Sequence, residues 1–92
     1  MGKGARRKPQ RLAGKLREVR LALGLSQSEL LRRLGAEDLI TYHRISDYEL
    51  GKNEPSLEIL LSYARVAGVC MDTLVDDQLD LPAKLPAKPK HS

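Results

Sequence analysis

The feature that most restricts the fold of this chain is an aliphatic repeat with helical spacing. Leu12, Leu16, Val19 and Leu23 follow one another at intervals of four, three and four residues, which places them on one face of an α-helix. Related apolar sets recur further along, and runs of β-branched residues are missing. Because the chain has neither Phe nor Trp, its core must consist of aliphatic side chains and Tyr. We therefore predict an all-α protein.

Glycines and capping residues mark the ends of the first two predicted helices. Gly24 ends the first, since glycine tolerates the left-handed conformation that closes a helix. Ser26 and Glu29 have the spacing of a capping box at the start of the second helix, which Gly35 stops. The inward side chains of this second helix are predicted to be Leu30, Leu31 and Leu34.

Three more helices are predicted after a connection at residues 36–40. Either Asp38 or Thr41 caps the third, and Ser56 caps the fourth. A short fifth helix covers about residues 71–77. The inward side chains of the fourth helix are predicted to be Leu57, Leu60, Leu61 and Ala64.

Composition divides the 92 residues into one small domain between two tails. We predict a disordered basic arm over residues 1–10, a compact five-helix bundle over residues 11–79 and a Pro/Lys-rich tail over residues 80–92. Residues 1–20 hold eight Lys or Arg and one acid, whereas residues 70–80 hold four Asp and no base. The two ends therefore predict different surfaces. The basic segment is either a solvated terminus or a DNA-binding arm that uses Arg6, Arg7, Lys8 and Arg11.

The sequence lacks the residues that several classes of function require. Cys70 is the one cysteine, which excludes an internal disulfide, and we expect it to be partly buried near a helix start. His43 and His91 have no neighbouring ligands, so the sequence predicts no metal site and no cofactor. The chain shows no paired carboxylates, Ser/His/Asp set or phosphate-binding glycine loop, so we predict no enzyme. It shows no signal peptide or membrane-spanning run, and we expect a cytoplasmic protein without membrane contact.

The second and third predicted helices are two to three turns long and closely joined, which is the geometry of a helix-turn-helix. On the third helix, within ITYHRISDYELG, one side carries Thr41, Ile45 and Tyr48. The opposite side carries polar groups that are available to an outside partner. They are His43, Ser46 and Asp47, with Tyr42 at their edge.

Glu49 lies on the inward side of the third helix, where an unpaired carboxylate is costly. Arg20, beside the apolar stripe of the first helix, is the best candidate for an ion pair with it. The alternative is that both side chains bend to solvent. An Arg20–Glu49 pair would fix the third helix against the first.

Two motifs give the chain a family resemblance: LGLSQSELLRRLG at residues 23–35 and ISDYELGKNEPSL at residues 45–57. Over residues 12–77 the chain resembles the Cro-type phage repressor and Xre helix-turn-helix family. The resemblance implies a five-helix domain that binds double-stranded operator DNA as a homodimer, and also an Arg–Glu pair at Arg20 and Glu49. It implies a sequence-specific transcriptional regulator with a recognition helix at about residues 41–50 in the major groove.

The resemblance also implies which side chains contact DNA. They lie at the start of the second helix, on the outer side of the third helix and in the loop after it. The predicted DNA-binding residues are Gln27, Ser28, Thr41, Tyr42, His43, Arg44, Ser46, Asp47, Lys52 and Asn53. Asp47 either accepts from a base or holds His43 one turn earlier.

Two positions depart from the family pattern. The segment AEDL makes the turn before the third helix longer, and Leu31 stands where the family usually has alanine. The two changes can compensate, because a longer turn lets the third helix stand off far enough to admit Leu31.

A second function is compatible with the same sequence, namely a protein-interaction module such as an antitoxin or an adaptor. The acidic strip and the Pro/Lys tail motivate a protein partner that binds through the C-terminal region. The strip consists of Asp72, Asp76, Asp77 and Asp80. The candidate apolar residues for a homodimer surface are Val69, Met71, Val75, Leu79 and Leu81.

Overall fold

A computed structural model describes residues 8–87 and contains five α-helices in that part of the chain. They are α1 (Leu12–Ala22), α2 (Gln27–Leu34), α3 (Tyr42–Glu49), α4 (Leu57–Ala67) and α5 (Met71–Val75). Helix α3 packs against α1 and α2, α4 packs against α2 and α5, and α5 returns to α1. The predicted all-α, five-helix bundle is confirmed.

The predicted caps define most of the helix ends. Ser26 Oγ accepts from the Glu29 main-chain N–H at 3.1 Å, and the Glu29 carboxylate accepts from the Ser26 main-chain N–H at 2.8 Å. Ser56 Oγ accepts from the main-chain N–H of Ile59 at 3.2 Å and caps the start of α4. Of the two candidates for α3, Thr41 occupies the N-cap position, although its hydroxyl makes no capping hydrogen bond. Gly24 adopts the left-handed conformation directly after the C-cap of α1, as predicted, whereas α5 ends two residues before its predicted end.

The inward face of α4 differs from the predicted one. Leu57 and Leu61 are 72% and 39% exposed, so their assignment to the core is wrong. The buried residues of α4 are Ile59, Leu60, Tyr63, Ala64 and Ala67. Relative to the predicted orientation, α4 is rotated about its axis so that Tyr63 faces the core and is fully buried. The leucines on the other flank therefore face solvent.

Two other residues are placed differently from the sequence expectation. Leu31 is only half-buried against the core, and the longer turn closes beside it through hydrogen bonds from the N–H groups of Leu39 and Ile40 to the carbonyl of Ala36. Cys70 is exposed at the N-cap of α5, so the expected partial burial is wrong. Because this position precedes the short helix rather than packing beneath it, the thiol meets solvent.

Part of the C-terminal tail lies on the bundle. Leu81, Leu85 and Ala87 pack against the core, and the Ala87 N–H donates to the carbonyl of Ala67 at the end of α4. The two prolines between these apolar residues limit the backbone freedom that the segment loses on docking. Residues 81–87 therefore extend the apolar contacts of the domain beyond its last helix.

Tyr63 supplies a stability prediction. Its side chain is fully buried and its hydroxyl has no hydrogen-bond partner among residues 8–87. Burial, together with the nearby Glu49 carboxylate, raises the pKa of this phenol well above its usual range. Because an unsatisfied buried hydroxyl is unfavourable, Tyr63→Phe is expected to raise the free energy of unfolding by about 1 kcal/mol. Urea unfolding measures the change; Tyr42→Phe at the surface serves as the control, and a loss of stability on Tyr63→Phe contradicts the prediction.

Candidate nucleic-acid interface

Helix α3 is anchored on one side and open on the other. Ile45 and Tyr48 are buried in the core, whereas Tyr42, His43 and Arg44 are exposed at the first turn. The rings of Tyr42 and His43 stack with their centroids 4.1 Å apart. Ser46 and Asp47 are half-buried one turn later, and Thr41 is exposed just before the helix. The helix therefore presents a polar and aromatic edge to solvent.

An internal ion pair fixes the end of α3 to α1. Arg20 Nε lies 2.7 Å from Glu49 Oε2, and Arg20 Nη2 lies 2.9 Å from Glu49 Oε1, so the guanidinium grips the carboxylate with two parallel bonds. A third donor, Nη1, reaches the carbonyl of Leu25 at 3.0 Å in the turn after α1. The Glu49 side chain is only 4% exposed. The hydrogen bonds to Glu49 raise the pKa of Arg20 despite its partial burial. The alternative in which both side chains bend to solvent is wrong.

The loop after α3 folds back onto the helix. The main-chain N–H of Lys52 donates to the Asp47 carbonyl at 2.9 Å, and Asn53 Nδ2 donates to the Asp47 carboxylate at 3.4 Å. The turn brings Asn53 to the Asp47 carboxylate, which therefore bonds the loop. It does not bond His43, as one of the sequence alternatives had it. Lys52 and Asn53 remain exposed beside the outer edge of α3.

The first turn of α2 forms the other part of the predicted interface. Gln27 is half-buried and Ser28 is exposed. The capping box engages the main-chain N–H groups of Ser26 and Glu29. The N–H groups of Gln27 and Ser28 lie between these two at the positive end of the helix dipole, where an anionic group is favoured.

The predicted basic arm divides into three parts. Arg6 and Arg7 lie outside the described residues. Lys8 is exposed. The Arg11 guanidinium instead turns to the acidic strip, where it donates to the carbonyls of Asp77 and Leu79 and pairs with the Asp80 carboxylate. The expectation that the basic and acidic ends form separate surfaces is therefore wrong at Arg11, because the bundle brings the end of α5 beside the start of α1.

Sequence reasoning missed the buried lysine of α1. Lys15 is 2% exposed, and its Nζ donates to the carbonyls of Thr73 and Asp76 at 2.8 Å each. These carbonyls lie at the end of α5, where helices leave acceptors unsatisfied. A signal was present, since Lys15 falls three residues after Leu12 and four before Val19, on the apolar face of α1.

Within residues 8–87, no group of three or more His, Cys, Asp or Glu side chains is arranged to hold a metal ion. None of the helices in this range combines the length and apolar character needed to cross a membrane.

Taken together, a capped α2, the connecting turn over residues 35–41 and an α3 that is buried on one side define a helix-turn-helix protein. A protein-family model described as helix-turn-helix matches residues 16–74. The chain belongs to this family, the Xre/Cro-type helix-turn-helix proteins, which bind DNA. The resemblance seen in the sequence is thereby confirmed. A search of curated proteins gave no match.

Proposed function

We propose that this protein is a sequence-specific regulator of transcription that inserts α3 into the major groove of double-stranded DNA. The observation that carries the proposal is the division of α3 between Ile45, Tyr48 and Glu49, which are held by the bundle, and the first-turn side chains, which face outward. A helix fixed in this way keeps its outer side chains in a constant register against a duplex.

The exposed side chains suit different parts of a duplex. Arg44 can donate to guanine or to a phosphate, and His43 can bond a base edge. Because Tyr42 stacks on His43, the two rings form one platform that can contact a thymine methyl group while the tyrosine hydroxyl donates to phosphate. Lys52, Asn53 and the first turn of α2 are proposed to contact the backbone and so fix the orientation of α3.

We propose a homodimer, because two copies with two-fold symmetry match two half-sites on DNA. An apolar groove between α4 and α5 supports a protein contact near the predicted surface, with exposed Leu57 on its edge and Leu60, Met71 and Val75 in its walls. The same groove supports the second candidate, a partner protein bound through the C-terminal region. The regulator is proposed to act in the cytoplasm of a bacterium or in a phage-infected cell, as a repressor.

Selection from a random pool of duplexes tests the proposed function. The purified chain is incubated with the pool at physiological salt, retained duplexes are amplified over several rounds, and the enriched site is footprinted. We expect one enriched sequence whose protected bases form two symmetric halves. Retention of the pool without enrichment, or no retention at all, would falsify sequence-specific binding and favour the protein-interaction candidate.

Arg44→Ala tests the assignment within the recognition helix. We expect it to weaken binding to the enriched duplex by at least tenfold and to relax the sequence preference at one position, since a bidentate base contact contributes about 1–3 kcal/mol of discrimination. Arg65→Ala, at an exposed position of α4, is the matched control and should leave affinity within about twofold. Fluorescence anisotropy with matched and mismatched duplexes measures both. Equal losses for the two variants contradict the assignment.

A further inference from the structure

The start of α1 and the end of α5 cap each other. The Asp77 carboxylate accepts the main-chain N–H of Gln10 at 2.8 Å through Oδ2 and that of Arg11 at 3.0 Å through Oδ1. In return, Lys15 of α1 donates to the last carbonyls of α5. The residue after α5 therefore bonds main-chain groups at the start of α1, and α1 bonds the last carbonyls of α5. We call this pair of contacts the clasp.

The clasp holds the backbone just after Lys8. Lys8 and Pro9 line a cleft with Val75 and Asp77 on one side. On the other side they line a second cleft with Gly51 and Asn53 of the loop after α3. Lys8 therefore emerges between the clasp and the loop that is proposed to contact phosphate.

The α1–loop contact is close. A Cβ built on Gly51 would lie 3.8 Å from the Cβ of Ala13, so the first turn of α1 rests directly against the loop. A displacement of residues 8–11 would consequently change the position of Lys8 relative to Lys52 and Asn53.

Charge alone makes Asp77 unfavourable for DNA binding. The main-chain hydrogen bonds from Gln10 and Arg11 lower the pKa of its carboxyl below the usual range, and the charges of Lys15 and Arg11 act in the same direction. Asp77 is thus anionic at neutral pH and repels phosphate. If its removal weakens DNA binding, the cause must be geometric, since the change in charge acts in the opposite direction.

We propose that Asp77 is a positioning residue for DNA binding, which fixes residues 10 and 11 so that Lys8 meets a phosphate beside Lys52 and Asn53. The inference rests on the proposed function. It extends the interface to a residue that belongs to the clasp and does not itself contact DNA.

A double-mutant cycle between Asp77 and Lys8 tests the proposal. The full chain, Asp77→Ala, Lys8→Ala and the double variant are titrated against the enriched duplex over a series of salt concentrations. We expect each single change to weaken binding about threefold at low salt, and the double variant to bind no worse than Lys8→Ala. At high salt, where counterion release contributes little, the four affinities should converge.

Asp72→Ala is the control with the same change of charge at an exposed position of α5, and it should leave binding unchanged or slightly tighter. Asp77→Asn keeps one carbonyl acceptor and should recover part of the affinity. Thermal melting of each variant shows that it is folded at the temperature of the titrations.

The proposal is overturned if Asp77→Ala binds as tightly as the full chain. It is also overturned if Asp77→Ala lowers the affinity by the same factor in the Lys8→Ala background, which indicates general destabilisation. A full chain that retains no duplex instead overturns the proposed function.

Discussion

Arg20→Ala is expected to lower the free energy of unfolding by about 3–5 kcal/mol, because it leaves the Glu49 carboxylate buried without its counter-charge. Two charge-assisted hydrogen bonds to Glu49 and one to the Leu25 carbonyl disappear together. Domains of this size have a total stability of about 5–15 kcal/mol, so the variant should melt far below the parent. Urea and thermal unfolding followed by circular dichroism measure the change.

A second substitution, at Glu49, separates the cost of the unpaired buried charge from the cost of the lost packing. Arg20→Ala combined with Glu49→Gln should recover about 1–2 kcal/mol relative to Arg20→Ala alone, since a neutral amide is less costly to bury than a carboxylate. Arg17→Ala, at an exposed position of the same helix, controls for the loss of an arginine and should change stability by less than about 0.5 kcal/mol. Similar melting of Arg17→Ala and Arg20→Ala would show that the pair does not anchor α3.

This anchor was predictable from sequence because periodicity locates both partners. The spacing of Ile45 and Tyr48 places Glu49 on the inner flank of α3, and the stripe of α1 places Arg20 on the edge that α3 must cover. The capping box of α2 was predictable for a related reason, since both of its bonds form within four consecutive residues. Local and strongly periodic features carry their own geometry in the sequence.

The rotation of α4 could not be predicted in the same way. Its sequence offers apolar residues on more than half of its circumference, from Leu57 and Ile59 to Tyr63 and Val66. Periodicity then permits several inward faces, and the choice depends on which one matches the space left by the other helices. That space is filled by Tyr63, while Leu57 is left at the edge of the groove beside α5.

The clasp could not be predicted from the sequence either, because it joins residues that are 58 to 67 positions apart in the chain. The distribution of charge along the sequence identified a basic and an acidic segment. It did not indicate whether the two segments lie in contact in the fold. Arg11 therefore counted as a DNA-binding residue, although in the fold its guanidinium pairs with the Asp80 carboxylate and donates to the Asp77 carbonyl. Only the return of α5 to the start of α1 determines this pairing.

Substitution of Lys15 is expected to have the second large effect on the stability of the fold. Lys15→Ala is expected to lower the free energy of unfolding by about 3 kcal/mol, because it removes a buried aliphatic stem and two hydrogen bonds from a charged donor. Lys15→Met keeps most of the stem and loses only the ammonium group. We expect it to lower stability by about 2 kcal/mol, since the carbonyls of Thr73 and Asp76 then lack their donor. Chemical denaturation of the three chains measures both steps.

The comparison of Lys15→Met with the parent and with Lys15→Ala separates two roles of the lysine. In one its ammonium group caps α5, and in the other only its apolar stem contributes to stability. If the ammonium group caps α5, Lys15→Met should also loosen the segment after that helix, so the main-chain N–H of Asp76 should exchange with solvent faster than in the parent. The exchange of amides in α2, to which the Lys15 ammonium group donates no hydrogen bond, serves as the internal reference. Equal or greater stability of Lys15→Met, with exchange near α5 unchanged, would mean that a hydrophobic side chain suffices at this position and that the contacts of Asp77 and Arg11 join the ends of α1 and α5 without it.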